Sequence, residues 1–130
     1  EKISIVDYKT GKVEDKAMTI EEEKYNTTGF KEIPKEAFQL LFYAYLYYKN
    51  TNIVPSKARI IDIQKMSKEF VLKYSEKDKL LMITKDFLND FEEKLKILFI
   101  DEILNPQQPF TMTENKKECQ YCNFANICGV

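Results

Sequence analysis

Apolar and polar positions along the first half of the chain predict one strand and one long helix. β-Branched residues in the stretch SIVDYKTG predict a strand, which we expect to cover residues 2–8. A mostly polar segment between Thr10 and Ile33 follows and has the composition of loops. The next segment, IPKEAFQLLFYAYLYYKN, predicts a helix, because Pro34 suits a first turn and the later residues are apolar almost all round. Such a helix is expected to be buried.

The second half of the chain predicts a hairpin and a second helix. The runs SKARIIDI (56–63) and EFVLKYS (69–75) are rich in β-formers and are joined by the polar link QKMSK. Thr84 is a suitable N-cap for a helix that is expected to end before Pro106. The apolar stripe of this helix comprises Phe87, Leu88, Phe91, Leu95, Leu98, Phe99 and Ile103. The order strand, helix, strand, strand, helix predicts a mixed α/β fold, with a right-handed crossover joining two parallel strands.

Composition narrows the range of possible chemistry. The chain has 130 residues, of which 44% are hydrophobic, and this is enough for one folded domain. The net charge of −1 gives no overall attraction to nucleic acid, and Arg59 is the only arginine. Nucleic-acid contacts are therefore expected to run mainly from lysine to phosphate. The absence of histidine from the sequence excludes His-based catalysis and His-ligated zinc. We expect a cytoplasmic protein with no membrane partner, because no apolar run approaches the roughly 20 residues that span a bilayer.

Asp7 and Lys9 form the first candidate site. Residues two apart in a strand point to the same face, so these two side chains are expected to lie together, with Tyr8 on the opposite face. One interpretation is a structural ion pair, in which Lys9 neutralises a costly buried carboxylate. The other makes Asp7 a ligand for a hard cation such as Mg²⁺, with Lys9 stabilising charge on a phosphate or orienting the attacking water. The dipeptide alone favours the ion pair.

Gln39 and Tyr43 form the second candidate site. Gln39 is strongly polar within an otherwise apolar helical span, and Tyr43 lies four residues later on the same helix face. A buried glutamine needs hydrogen-bond partners. These could be neighbouring backbone groups, or the pair could position a phosphate or the strand that carries Asp7 and Lys9.

The third candidate site lies at the end of the sequence. Cys119, Cys122 and Cys128 form a C-x2-C-x5-C pattern, and their odd number argues against a disulfide framework. Thiolates are soft ligands that suit zinc or an iron–sulfur cluster, and both normally need four protein ligands. Three unligated thiols remain the alternative.

Together the three motifs resemble the PD-(D/E)XK nuclease superfamily, and in particular its RecB-like branch. IVDYKTG resembles the second catalytic motif, FQLLFYAY resembles the Q-x-x-x-Y motif, and CQYCNFANICG resembles the cysteine tail of AddB-type nucleases. The resemblance implies a restriction-endonuclease-like core, of which this chain supplies a β-α-β-β-α unit (residues 1–110) and a cysteine-rich tail (111–130).

The resemblance also implies roles for these residues. Asp7 would hold Mg²⁺ or Mn²⁺, Lys9 would be the catalytic lysine, and Gln39 and Tyr43 would support the active site and the DNA. The three cysteines would bind a 4Fe–4S cluster, with zinc as the alternative. The expected activity is metal-dependent DNA hydrolysis in repair or recombination, with a helicase domain or subunit as partner.

Two elements of the family pattern have no counterpart in the sequence. One is the upstream acid of the G-x-x-D-R-like motif, and the other is a first cysteine before the nuclease core. We therefore expect these 130 residues to be the C-terminal part of a nuclease domain that cleaves little or no DNA alone. The rival interpretations are a non-catalytic DNA-binding or scaffolding module and a zinc-knuckle interaction module.

Overall fold

The computed structural model describes residues 2–64, 68–74, 79–109 and 111–129 of the chain. Its strands are β1 (Ser4–Lys9), β2 (Thr19–Ile20), β3 (Lys57–Asp62), β4 (Glu69–Val71), β5 (Lys73–Tyr74) and β6 (Lys79–Leu80). Its α-helices are α1 (Glu22–Thr28), α2 (Lys35–Thr51), α3 (Lys85–Lys96), α4 (Lys116–Cys119) and α5 (Ala125–Cys128). A 3₁₀-helix covers Asp15–Met18, and a π-helix covers Ile97–Ile103.

The larger sheet has the order β1-β3-β4 and carries the first candidate site. β1 and β3 are parallel, with Ser4 opposite Lys57 and Lys9 opposite Asp62, and β4 is antiparallel to β3. α2 is the last element of the connection from β1 to β3, and it packs against both strands. The predicted parallel pairing across a helical crossover is confirmed, and so is the mixed α/β fold class.

A second small sheet, with the order β2-β5-β6, was not predicted. The run expected as one strand at 69–75 divides at Leu72, so that β4 joins the larger sheet and β5 joins the smaller one. Leu72 links the two sheets, because its N–H donates to the Ala58 carbonyl and its carbonyl accepts from the Leu81 N–H. Residues 65–67 of the expected hairpin link and Ser75 lie outside the described residues.

The segment expected to be a loop between Thr10 and Ile33 contains the 3₁₀-helix, β2 and α1. Its polar sequence forms structure because a few apolar side chains are fully buried in the core. Met18, Ile20 and Tyr25 anchor these three elements in turn. The loop prediction was therefore wrong for most of this segment.

One face of α2 contributes to the hydrophobic core. Ala37, Leu40, Leu41 and Ala44 are buried on this face, which packs on the larger sheet. On the other side of the helix, Tyr43 is 39% exposed and Leu46 is 40% exposed. The expectation of a helix enclosed on all sides was wrong, although its predicted bounds agree closely with Lys35–Thr51.

α3 begins as the sequence predicts and ends earlier. The Thr84 side chain accepts a hydrogen bond from the Phe87 N–H at 3.1 Å, which confirms the N-cap. Leu88, Phe91 and Leu95 are buried in the core. Beyond Lys96 the backbone widens into the π-helix, which turns the later apolar positions Phe99 and Ile103 outward. The apolar stripe therefore covers the core only along α3.

Phe91 is expected to be a major source of folding stability. It is fully buried, and its ring lies 5.0 Å from the Phe30 ring and 5.9 Å from the Phe38 ring. Phe91→Ala should lower the free energy of unfolding by about 3–5 kcal/mol, because it leaves a cavity among aromatic rings. Phe99→Ala, in the same helical segment but 45% exposed, is the control and should change stability by less than about 1 kcal/mol. Urea unfolding of the two variants measures both values, and equal losses would contradict this description of the core.

The segment after the π-helix contains two one-turn helices, α4 and α5. The Asn115 side chain caps α4 by accepting from the Lys117 N–H at 3.3 Å. No helix in the described residues combines the length and apolar character needed to cross a bilayer.

Candidate active site

The end of β1 places Asp7 and Lys9 on the same side of the larger sheet, as strand alternation predicts. The Lys9 ammonium lies 3.1 Å from Asp7 Oδ2. Tyr8 points the other way and is 62% exposed. The predicted arrangement of the three side chains is confirmed, although β1 is half-buried rather than buried. The Lys9 side chain is 31% exposed, so its charge can be reached from solvent.

Helix α2, which packs against β1 and β3, places Gln39 beside Lys9. Gln39 Oε1 accepts a hydrogen bond from the Lys9 ammonium at 2.6 Å, across 30 residues of sequence. Gln39 Nε2 donates to Tyr43 Oη at 2.7 Å, one helical turn later. A continuous chain of polar contacts therefore runs from Asp7 through Lys9 and Gln39 to Tyr43. The structure therefore brings together the four residues of the first and second candidate sites.

This network fixes the Lys9 side chain in one place. A lysine side chain has a flexible four-carbon stem, and an isolated one would sample many positions at an exposed sheet edge. The Asp7 carboxylate and the Gln39 amide hold its ammonium from two directions, one from the sheet and one from the helix. A preorganised positive charge of this kind is what a site needs if it is to stabilise negative charge that develops during a reaction.

Asp7 offers one oxygen ligand to a cation. Its Oδ2 atom is shielded from solvent and receives no hydrogen bond of acceptable geometry from the described residues. Carboxylate oxygens are the preferred ligands of Mg²⁺, which is often bound by one or two carboxylates together with substrate phosphates. Among the described residues, no group of three or more His, Cys, Asp or Glu side chains could hold a metal by itself. The donor chemistry of Asp7 thus fits one ligand of a divalent cation, and the described residues do not supply a complete protein ligand set.

Asp62 is a neighbour of this site that the sequence analysis did not identify. It lies opposite Lys9 in the β1–β3 register. With 1% of its surface exposed, it is the one charged residue that is buried in the described part of the chain. Its Oδ1 accepts a hydrogen bond from the Gln64 N–H at 2.9 Å, and this closes a turn at the end of β3. The Ile63 N–H also donates to the Lys9 carbonyl at 2.9 Å, so β3 supports the backbone of the site. The sequence did contain a signal for Asp62, because the alternation in SKARIIDI places it on the same strand face as the buried Ile60.

The three cysteines lie in the tail, where Cys119 ends α4, Cys128 ends α5 and Cys122 lies between the two helices. Cys119 is half-buried, whereas Cys122 and Cys128 are exposed. The Cys122 N–H donates to the Cys119 carbonyl at 3.1 Å, which makes a tight turn. Gly129 follows Cys128 with φ at +70°, a conformation that favours glycine. In the described tail the three thiols are free and are not gathered around a common point.

The fold and the polar network define a class of protein. A mixed sheet with an Asp–Lys pair at the end of its first strand, covered by a helix that binds the lysine, is consistent with a restriction-endonuclease-like α/β domain. The family model of the PD-(D/E)XK nuclease superfamily matches residues 1–129, and the chain therefore belongs to that superfamily. This confirms the superfamily part of the resemblance and indicates a nuclease.

The match covers the sheet, both long helices and the cysteine tail. No curated protein and no solved structure was found to be similar to the chain. The assignment to the RecB-like branch and to AddB-type tails therefore stays a prediction from the motifs.

Proposed function

We propose that this chain carries the Lys-containing half of the active site of a metal-dependent deoxyribonuclease. The observation that carries the proposal is the contact network from Asp7 to Tyr43 in a chain that belongs to a nuclease superfamily. The reaction is hydrolysis of a phosphodiester bond. The oxygen of water bonds to phosphorus, one ester P–O bond breaks, and the leaving oxygen takes a proton.

Lys9 acts on the phosphate. During hydrolysis, negative charge builds on the non-bridging phosphate oxygens and on the leaving oxygen. An ammonium held in place before the reaction stabilises that charge without the cost of reorganising solvent. The hydrogen bond from Lys9 to Gln39 and the ion pair with Asp7 support this role, because they fix the ammonium at the accessible sheet edge.

Asp7 is proposed to be a ligand of Mg²⁺ or Mn²⁺. Such a cation, when bound, activates water and neutralises phosphate charge. Asp7 contributes the shielded Oδ2 atom, and the described residues do not gather three or more ligand side chains into a complete set, so the site needs at least one further acidic ligand. We propose that this ligand belongs to an upstream part of the same nuclease domain, and that the 130 residues alone cleave DNA weakly.

The test of this function is cleavage of a labelled DNA duplex and of its single strand by the protein in its full length. Cleavage with Mg²⁺ or Mn²⁺ that stops in EDTA supports a nuclease. A second candidate function, DNA binding without catalysis, is favoured by the incomplete ligand set among the described residues. DNA binding without cleavage under any divalent cation would select this second candidate.

Gln39 is proposed to be a positioning residue for Lys9. Gln39→Leu removes the acceptor for the ammonium, and we expect kcat to fall by about 10- to 100-fold with little change in KM. Tyr43→Phe should have a smaller effect, less than about 10-fold, because water can replace the phenol at this exposed position. Tyr47→Phe, one turn further along α2, is the matched control and should leave both constants unchanged. A parallel rise in KM for Gln39→Leu would instead indicate a role in substrate binding.

The proposed biological setting is a helicase-associated nuclease that acts in DNA repair or recombination. It is supported by the Q-x-x-x-Y spacing of Gln39 and Tyr43 and by the cysteine tail, which resemble RecB-like and AddB-type proteins. Co-purification of the full-length protein with ATP-dependent DNA unwinding activity tests this setting. Isolation of a stable nuclease without any motor would remove the helicase from the proposal.

The cysteines are proposed to bind a structural metal group rather than to take part in catalysis. Their thiolate donors suit a 4Fe–4S cluster, although the described tail does not gather them and a fourth ligand is required. We expect the protein purified without oxygen to contain iron and acid-labile sulfide and to absorb broadly in the visible range. Cys122→Ser should lower the iron content several-fold, with Ser56→Ala as a control remote from the tail. Bound zinc without colour would favour the zinc knuckle.

A further inference from the structure

A cavity of about 760 Å³ lies between the end of α1, the first turn of α2 and the junction of α3 with the π-helix. Two aromatic residues, Phe30 and Phe38, and three lysines, Lys31, Lys35 and Lys94, contribute to its wall. We call this cavity the Phe30–Lys35 pocket. Its volume lies in the range of specific ligand sites.

The charge of the pocket favours an anionic ligand. Three lysines in its described wall are opposed by one carboxylate, Glu102. Lys31 lies 3.6 Å from Glu102, and Lys94 lies 2.6 Å from Asp90, so these two charges are largely balanced. Lys35 is exposed in the first turn of α2, where the positive end of the helix dipole adds to its charge.

The position of the pocket connects it to the proposed active site. Lys35, Gln39 and Tyr43 lie four residues apart and therefore occupy one row along α2. Lys35 in the pocket is thus about 6 Å along the helix axis from Gln39, which binds the Lys9 ammonium. An extended polyanion that places a phosphate at Lys9 can follow this row to Lys35.

We propose that the Phe30–Lys35 pocket binds an unpaired nucleotide of the DNA strand whose neighbouring phosphate lies at Lys9. The combination of aromatic rings with a cationic groove is typical of proteins that bind single strands, in which bases stack on side chains. Bases of a duplex are stacked on one another and cannot enter a pocket lined by Phe30 and Phe38. The inference rests on the proposed function and adds a strand preference to it.

A fluorescence experiment in EDTA tests stacking without cleavage. These 130 residues contain no tryptophan, so Phe30→Trp introduces an indole into the pocket wall, and its signal is read after subtraction of the parent protein. Phe99→Trp, on the π-helix outside the pocket, is the matched control. We expect a single strand of about 12 nucleotides to quench the Phe30→Trp indole saturably, at about tenfold lower concentration than the same sequence as a duplex. The indole of the Phe99→Trp control should be unaffected. Equal quenching of both indoles, or by both DNA forms, overturns the proposal.

A charge-reversal pair tests the role of Lys35. Lys35→Glu and Lys85→Glu each change the first residue of a helix, so their effects on folding should be similar. We expect Lys35→Glu to weaken single-strand binding in EDTA by about tenfold and Lys85→Glu to weaken it by less than about twofold. Equal weakening by both overturns the proposal. These binding measurements require no cleavage. Single-strand binding that depends on Lys35 therefore supports the pocket even if the protein cleaves no DNA, and a failure of the pocket proposal can be told apart from a failure of the nuclease proposal.

Discussion

Replacement of Lys9 by alanine in the full-length protein is expected to reduce metal-dependent DNA cleavage to background, a loss of at least about a hundredfold. The reason is electrostatic, because the ammonium is the positive side chain that Asp7 and Gln39 hold in place at the end of β1. Its removal takes away the preorganised charge that is proposed to stabilise the charge developing on the phosphate. Single-turnover cleavage of labelled DNA at saturating Mg²⁺ measures the chemical step directly.

The control for this experiment is Lys85→Ala, at the first residue of α3 and remote from β1. It removes the same charge from the chain and should leave the rate within about twofold of the wild type. Lys9→Ala should also keep most of the DNA affinity, because other lysines contribute to phosphate binding. Robust cleavage by Lys9→Ala, with the fold intact by circular dichroism, would show that the ion pair of Lys9 with Asp7 is structural and not catalytic.

The local part of this site follows from sequence pattern. The two-residue period of a strand is sufficient to place Asp7 and Lys9 together and Tyr8 opposite. The four-residue spacing is likewise sufficient to place Gln39 beside Tyr43 on one helix face. Both relations depend only on backbone geometry within a single element, and both agree with the contacts of 3.1 Å and 2.7 Å.

The parts that depend on tertiary packing could not be predicted in the same way. The bond from Lys9 to Gln39 joins residues 30 positions apart and exists because α2 packs across β1 and β3. Asp62 reaches the site through the β1–β3 register, which no pattern within either strand specifies. The same limit explains the missed β2 and β6, since strands of two residues are formed by pairing rather than by propensity.

Exposure was also misjudged where apolar content was used as a guide. α2 is apolar almost all round, yet Tyr43 and Leu46 lie on its accessible side. Tyrosine carries a polar hydroxyl that can form hydrogen bonds at a surface, and the Tyr43 hydroxyl accepts from Gln39 there. The exposed side of α2 is thus the side that carries the contacts from Lys9 to Tyr43, and a departure from the predicted burial is what we expect at the proposed active site.

The second large effect is expected from Asp7→Asn, which keeps the shape of the side chain and removes its charge. We expect cleavage to fall by about a thousandfold, because a divalent cation contributes several kcal/mol to charge stabilisation and would lose this ligand. The apparent affinity for Mn²⁺, measured by electron paramagnetic resonance in the absence of DNA, should fall at least about tenfold. This second measurement reports on ligation alone, whatever the rate of cleavage.

Asp101→Asn is the matched control for the Asp7 variant, since Asp101 is exposed on the π-helix and the same change removes the same charge. It should leave both Mn²⁺ affinity and cleavage unchanged. The comparison with Lys9→Ala separates two roles within one ion pair: both variants should stop cleavage, but only Asp7→Asn should weaken Mn²⁺ binding. If Asp7→Asn instead binds Mn²⁺ like the wild type, the shielded Oδ2 atom serves Lys9 and not a metal, and the cation site must be sought elsewhere in the protein.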